Sequence, residues 1–190
     1  EARMLAGRKA LRKTFSTRLQ GPRPERLSPS EKARFCDDVR GALYAAKACS
    51  YAQGFDLLGA ASRARNWSLD FAEIARIWQA GCIIRAKFLT RIRAAYTQNP
   101  TLEHLLLDQD FVRELGEREG SFRRVLAKAL LAGIPAFTLS ASLAYYDSLR
   151  TEHLPANLTQ AQRDLFGAHT YKRLDRDGDF HSPWSPKTEK

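Results

Sequence analysis

Cysteine and histidine are scarce in this 190-residue chain, which contains only three cysteines and four histidines. Cys36, Cys49 and Cys82 are too few and too widely spaced for a disulfide framework or a zinc site. No apolar run reaches the roughly 18 residues that a membrane span needs, and nothing resembles a signal peptide. The sequence therefore predicts a soluble protein of a reducing cytoplasm, with no metal site and no membrane contact.

Established catalytic motifs are also missing. There is no glycine-rich phosphate loop, no Gly-x-Ser-x-Gly elbow and no paired-cysteine motif. Residues 175–179 have the composition of a calcium loop, but their glycine is in the fourth rather than the sixth position, and the twelfth position is not glutamate. No complete active site is visible, so we assign no catalytic, cofactor-binding or metal-binding residue from motifs.

Charge is unevenly distributed along a chain of otherwise ordinary globular composition, with 44% hydrophobic and 27% charged residues and a net charge of +10. Residues 1–26 carry eight basic and two acidic side chains, so most of the excess lies there. Leu11, Phe15 and Leu19 recur at four-residue steps between these bases, which predicts a basic amphipathic helix ending before Gly21. A nucleic-acid backbone could follow such a stripe, but a solvated helix face is the simpler interpretation.

Helical periodicity continues through most of the remaining sequence and predicts an all-α, multi-helix domain. Ser30 is the expected N-cap of one long central helix, whose small residues between Ala42 and Gly54 should be deeply buried. Further helices are expected near residues 74–81, 82–96, 110–132 and 160–166, with one opened by Ser140. Its inward residues are predicted to be Leu143, Tyr146 and Leu149.

A polar, non-periodic tail follows Gly167, and its aromatic residues predict that it packs on something, such as a second subunit. We expect domain boundaries at 1–166 for the helical part and 167–190 for the tail. Gly167 should end the last helix and leave His169 in the turn beyond, near Arg163. The other three histidines have no metal-ligand spacing and are expected to be surface or capping residues.

Paired carboxylates are the remaining candidates for acid–base chemistry. They lie at predicted helix starts, where the helix dipole accounts for acids without catalysis. The four residues are Asp70, Glu73, Asp108 and Asp110.

Four segments resemble the C-terminal part of decarboxylating 6-phosphogluconate dehydrogenases. They are ALYAAKACSYAQGF (residues 42–55), EIARIWQAGCIIRA (73–86), SASLAYYD (140–147) and LPANLTQAQRDLFGAHTY (154–171). The resemblance implies an all-helical domain whose long central helices and extended tail form a homodimer, with the tail reaching the partner subunit. It also implies an NADP-dependent oxidative decarboxylation of 6-phosphogluconate to ribulose 5-phosphate in the pentose phosphate pathway.

Three substrate-binding residues follow from the resemblance, namely Arg3, Arg163 and His169. The two arginines match positions that bind the substrate phosphate, and the histidine matches one that the tail delivers to the neighbouring site. The family's dinucleotide-binding domain, lysine base and glutamate acid should lie upstream of this chain, so we expect the chain alone to be inactive.

Two alternatives stay open at this point. The basic residues 7–13, Leu165 in place of the family's usual tyrosine, and residues 136–139 depart from the family pattern. They leave room for a non-catalytic paralogue that dimerises without turnover. A basic helical module that binds nucleic acid is the other alternative, and salt-dependent binding would distinguish it.

Overall fold

Helices make up most of the chain in the computed structural model, which describes residues 2–184. A single 3₁₀ turn, Leu105–Leu107, precedes the sixth helix, and the only β pairing in this range is an isolated antiparallel bridge between Tyr171 and Phe180. The all-α prediction is confirmed for these residues. The helices are α1 (Ala2–Gly7), α2 (Lys9–Arg18), α3 (Pro29–Arg65), α4 (Phe71–Ile77), α5 (Phe88–Gln98), α6 (Gln109–Leu131), α7 (Phe137–Leu149) and α8 (Asn157–Gly167).

The long central helix α3 begins earlier than predicted. Ser28, not Ser30, is its N-cap: the Ser28 hydroxyl accepts the Glu31 backbone N–H, and the Glu31 carboxylate accepts the Ser28 backbone N–H at 2.8 Å. This reciprocal pair is a capping box, and Pro29 fits the first helical position because its missing N–H has no helical partner there. The prediction of Ser30 failed because both serines precede the apolar periodicity and only the spacing to Glu31 separates them.

Ser28→Ala is expected to lower the free energy of unfolding by about 1 kcal/mol, because it removes the side-chain half of the capping box. Ser30→Ala is the matched control and is expected to change it by no more than a few tenths. Urea unfolding followed by circular dichroism measures both variants. A loss for Ser30→Ala at least as large as that for Ser28→Ala would contradict the assignment of Ser28 as the N-cap.

Helix α6 packs against the face of α3 that carries small residues. Ala42, Ala48, Cys49 and Ala52 are completely buried, which confirms the predicted deep burial for this face of the stretch, whereas Ser50 is exposed. A Cβ at Gly41 would lie 3.1 Å from the Ser121 Cβ on α6, so the absence of a side chain lets the two helices approach closely.

The opposite face of α3 carries exposed apolar residues. Leu43 and Leu57 are 57% and 71% exposed, whereas Ala45 and Phe55 on the same helix are buried. The helix contains two stripes of apolar and small residues, and periodicity alone does not say which one meets the core.

Helix α5 is shorter than predicted. It begins at Phe88 rather than Cys82, because Gly81 has a left-handed φ of 68° and residues 82–87 turn instead of continuing a helix. The Tyr51 hydroxyl on α3 donates to the Ile84 carbonyl at 2.5 Å and fixes this turn against the core. Ile83 at its tip is 99% exposed.

Helix α7 differs from its prediction at both ends. It starts at Phe137, and Ser140 already donates its backbone N–H to the Ala136 carbonyl within the first turn. Leu143 is buried and Tyr146 half-buried as expected, whereas Leu149 is 52% exposed. The predicted inward position of Leu149 is therefore wrong.

The chain divides into two compact units, Glu1–Tyr146 and Asp147–Lys190. The sequence-based boundary between residues 166 and 167 stays a prediction, and residues 185–190 of the predicted tail lie outside the described part. No helix within residues 2–184 is both long enough and apolar enough to cross a membrane.

Candidate functional site

The three predicted substrate-binding residues lie in different units. Arg3 is exposed on α1 in the first unit. Arg163 and His169 belong to the second unit, where Arg163 is exposed on the last turns of α8 and His169 is exposed just beyond the helix end. The second unit therefore holds a guanidinium and an imidazole near the same helix terminus.

The end of α8 is built differently from the prediction. Gly167 remains helical, and Ala168 takes the left-handed position with φ 50°, its N–H donating to the Asp164 carbonyl at 2.9 Å. A Cβ at Gly167 would lie 3.0 Å from the His169 Nε2. The absence of a side chain at Gly167 therefore gives the imidazole room to lie against the helix end. A glycine is needed here for this close approach and not for a left-handed backbone conformation.

Asp164 is the residue beside the predicted site residues that sequence reasoning missed. Its side chain is completely buried, and its carboxylate accepts four hydrogen bonds. The donors are the Thr170 N–H at 3.0 Å, the His181 Nδ1 at 2.9 Å, the Ser182 N–H at 3.0 Å and the Trp184 Nε1–H at 2.8 Å. Because an ionised carboxylate only accepts, the His181 Nδ1 carries a proton in this contact.

One signal in the sequence could have identified Asp164. An acid near the C-terminal end of a helix opposes the helix dipole, so it needs specific donors. Those donors come from an irregular segment, six to twenty residues further along the chain, that periodicity does not describe.

The pKa of the Asp164 carboxyl is lowered from 3.8 to about 2. Burial by itself raises this pKa, but the hydrogen bonds from the Ser182 backbone, His181 and Trp184 favour the charged form and outweigh burial. The carboxylate is thus the ionised anchor of the tail at neutral pH.

The depressed pKa predicts how the tail responds to acid. Because the folded pKa lies below the ordinary value, the stabilisation is fully present above about pH 4 and is lost as the pH falls through about 2. We expect the Trp184 indole N–H resonance to hold its shift to about pH 4 and move to a solvent-exposed position below it. Asp164→Asn is the control and should remove that transition. A wild-type transition centred near pH 4 or above would contradict the hydrogen bonds assigned to the Asp164 carboxylate.

The tail beyond His169 is an ordered hairpin-like segment. Tyr171 and Phe180 exchange backbone hydrogen bonds of 2.8 and 2.9 Å, and the Tyr171 hydroxyl meets the Ser182 hydroxyl at 2.8 Å. Two acids of the rejected calcium loop pair with bases, Asp175 with Arg173 at 2.7 Å and Asp179 with Lys172 at 3.1 Å. In residues 2–184, no three acidic, histidine or cysteine side chains converge as metal ligands.

The remaining candidates have the structural roles that were expected. Asp70 caps α4 by accepting the Glu73 N–H at 3.0 Å, and Asp108 caps α6. His104 accepts the Leu106 N–H and meets the Tyr145 hydroxyl at 2.8 Å, so it is a capping residue. His153 is exposed beside Glu152.

The basic amphipathic helix is confirmed as α2, and all of its residues are exposed. Leu11, Phe15 and Leu19, whose spacing predicted the helix, are 37%, 51% and 65% exposed. Nucleic-acid binding by this stretch stays a prediction.

The helical fold and the hydrogen bonds around Asp164 together define a class of protein. It is an all-helical domain followed by an ordered tail that is anchored on one buried carboxylate. The family model described as 6-phosphogluconate dehydrogenase, C-terminal domain, matches residues 1–184, and the chain belongs to this family.

Similar proteins carry the same name. The chain is 50% identical over 184 residues to 6-phosphogluconate dehydrogenase, decarboxylating 1, of Oryza sativa subsp. japonica, covering 97% of the chain and 38% of the relative. A Synechococcus elongatus 6-phosphogluconate dehydrogenase, decarboxylating, is 52% identical over 183 residues, covering 96% of the chain and 39% of the relative.

A solved structure has the same fold. The Plasmodium falciparum 6-phosphogluconate dehydrogenase, described in apo form and in complexes with its cofactor NADP+ and its substrate 6-phosphogluconate, matches with a TM-score of 0.87 and 42% identity. The match covers 96% of this chain and 39% of that one. The chain thus spans less than two fifths of the length of these relatives.

Proposed function

We propose that this chain is the C-terminal, substrate-binding and dimer-forming part of a decarboxylating 6-phosphogluconate dehydrogenase. The observation that carries the proposal is the family match over residues 1–184, together with 50% identity over 184 residues to a named enzyme. The reaction oxidises the C3 hydroxyl of 6-phosphogluconate by hydride transfer to NADP. The resulting 3-keto acid loses CO2, and protonation of the enediol gives ribulose 5-phosphate.

The role of this chain in that reaction is to bind and orient an anionic, phosphorylated substrate. Arg163 presents a planar guanidinium whose parallel N–H donors match a phosphate, and its exposure leaves those donors accessible. His169 adds an imidazole from the adjoining turn, and Arg3 on α1 supplies a second guanidinium. Both arginines bind the phosphate, and none of the three residues takes part in hydride or proton transfer.

The NADP cofactor supplies the hydride acceptor, and we assign its binding to the part of the enzyme that precedes this domain. A dinucleotide fold needs a strand that leads through a glycine-rich turn into a helix. Residues 2–184 contain no such unit. No residue of the described chain is therefore assigned to the cofactor.

Dimer formation is supported by apolar surface that the first and second units each leave uncovered. On α3, Leu43 and Leu57 are exposed opposite the core, and in the second unit Leu158 and Phe166 are 75% and 83% exposed. Where exposed apolar side chains form a contiguous patch, that patch marks an interaction surface. We infer that the tail of one subunit contributes Arg163 and His169 to the site of the other.

A reducing compartment, the cytoplasm, is the proposed location. All three cysteines are free thiols, and burial raises the pKa of the Cys49 thiol to about 11, which keeps it protonated and unreactive. Some similar proteins are named as chloroplastic, among them one from Arabidopsis thaliana that is 54% identical over 160 residues. Fractionation of the source cells separates the two compartments.

A chimera tests the proposed function of the domain. The corresponding C-terminal region of the Synechococcus elongatus relative is replaced by this chain, and NADP-dependent turnover of 6-phosphogluconate is measured. The relative truncated before that region is the negative control, and light scattering gives the oligomeric state. Turnover by a dimeric chimera supports the proposal, whereas a folded, dimeric chimera as inactive as the truncated control would favour a non-catalytic paralogue.

A further inference from the structure

His169 lies between two residues with unusual backbone conformations. Ala168 has φ 50° and Thr170 has φ 61°, and both carry a Cβ that makes the left-handed region unfavourable. Such conformations persist only where surrounding contacts hold them, and they concentrate at functional sites. The direction of the His169 side chain is therefore set by whatever fixes its two neighbours.

Asp164 fixes both of them. Its backbone carbonyl accepts the Ala168 N–H at 2.9 Å, and its carboxylate Oδ1 accepts the Thr170 N–H at 3.0 Å. The Gln160 side-chain amide donates to the Thr170 carbonyl from the preceding turn of α8. One residue on the helix thus holds the backbone on each side of His169, with a second contact from Gln160.

The carboxylate does not reach a ligand itself. It is completely buried, and its second oxygen is occupied by the Ser182 N–H at 3.0 Å and the Trp184 Nε1–H at 2.8 Å. Whatever Asp164 contributes to function must therefore pass through the residues that it holds.

We propose that Asp164 is a positioning residue for His169, holding the left-handed turn that presents the imidazole to the substrate. This inference rests on the proposed function, in which His169 binds 6-phosphogluconate. A carboxylate is required because both of its oxygens accept hydrogen bonds. The amide of an asparagine would turn its NH2 group towards either the Thr170 and His181 donors or the Ser182 and Trp184 donors.

The first experiment compares two variants in the full-length protein that contains this chain. Asp164→Asn is expected to raise the KM for 6-phosphogluconate by about tenfold, with a smaller effect on kcat, because the imidazole is no longer held for substrate binding. Trp184→Phe removes one donor to the other oxygen and leaves the Thr170 contact in place. It is expected to lower the thermal midpoint of unfolding while its KM stays within about twofold of the wild type.

The second experiment is a double-mutant cycle that separates positioning from a merely structural role. If Asp164 acts through His169, then adding Asp164→Asn to His169→Ala changes KM by less than about twofold, so the two effects are not additive. Additive effects would overturn the proposal while leaving the function of His169 intact. An unchanged KM for His169→Ala alone would instead remove the binding role of His169, and this inference with it.

A milder variant covers the case in which Asp164→Asn does not fold. Gln160→Ala removes the side-chain hydrogen bond to the Thr170 carbonyl and so loosens the same backbone. It leaves the Asp164 carboxylate and its four donors intact. It is expected to raise KM about threefold in the wild-type background and not at all beside His169→Ala. A KM equal to that of the wild type, in a variant that folds with the Thr170 amide protected less from hydrogen exchange, would overturn the proposal.

Discussion

Arg163→Ala in the full-length protein is expected to raise the KM for 6-phosphogluconate by about tenfold to a hundredfold, because each charge-assisted hydrogen bond contributes roughly 1.5–3 kcal/mol. The effect falls mainly on KM, since a phosphate remote from the reacting carbons is bound alike in the ground state and the transition state. Steady-state kinetics with saturating NADP measures it.

Two further variants make the Arg163 result specific. Arg173→Ala removes another guanidinium from the same unit, one that pairs with Asp175 at 2.7 Å, and is expected to leave KM within about twofold of the wild type. Arg163→Lys retains the charge without the planar fork and should fall between wild type and alanine. Equal KM values for Arg163→Ala and Arg173→Ala would show that bulk charge, and not a phosphate contact, is being measured.

Phe55→Ala is expected to lower the free energy of unfolding by about 3–5 kcal/mol, a larger loss than removal of the Ser28 cap should cause. Phe55 is 1% exposed, and its ring centroid lies 5.4 Å from those of Trp78 and Tyr96 and 5.9 Å from that of Phe71. Truncation removes the shared partner of three aromatic rings and leaves a cavity between α3, α4 and α5 that these rigid side chains cannot fill.

Leu57→Ala is the matched control for Phe55→Ala on the same helix. Leu57 is 71% exposed in the single chain, so its truncation should change the stability of a subunit by less than about 0.5 kcal/mol, and a further loss that depends on protein concentration would come from the proposed dimer surface rather than from the core. Denaturant unfolding of the two variants at equal concentration provides the comparison. A loss for Leu57→Ala that is as large as that for Phe55→Ala and independent of protein concentration would mean that the Leu57 face of α3, and not the Phe55 face, meets the core.

Helix existence could be predicted from this sequence because it depends on local periodicity and caps. The small residues of α3 indicated a close helix contact, and the acids at 70 and 108 indicated the starts of α4 and α6. The boundaries were harder, because Ser28 and Ser30 have the same capping chemistry, and because α4 ends at Ile77, before Gly81, and that glycine does not indicate where the next helix begins.

Contacts between distant residues could not be predicted by the same reasoning. The Asp38 carboxylate is held by Arg124, eighty-six residues away, and this contact and the Ser121 hydroxyl lower its pKa to about 2. Arg91 and Tyr44 likewise both donate to the Glu114 carboxylate. These three residues belong to three different helices. Each side chain alone looks like an ordinary charge or hydroxyl on a helix surface.

The residues of the candidate site also differ in how far the sequence could predict them. Arg163 and His169 were assigned to the substrate because a resemblance to a family marked them; the residues alone singled out the turn that holds His169 near Arg163 but gave it no binding role. Asp164 was missed although it lies next to Arg163, because its four donors are brought to it by the irregular tail. Gly167 was expected to end α8, whereas in the structure it remains helical and gives the His169 imidazole room to approach.

Turnover by the full-length protein tests the central claim most directly. NADPH formation and CO2 release are followed together on 6-phosphogluconate, using the protein expressed from the complete open reading frame that contains this chain. The account predicts substrate-dependent NADPH with an equal amount of CO2. A folded, dimeric full-length protein that forms neither would contradict it.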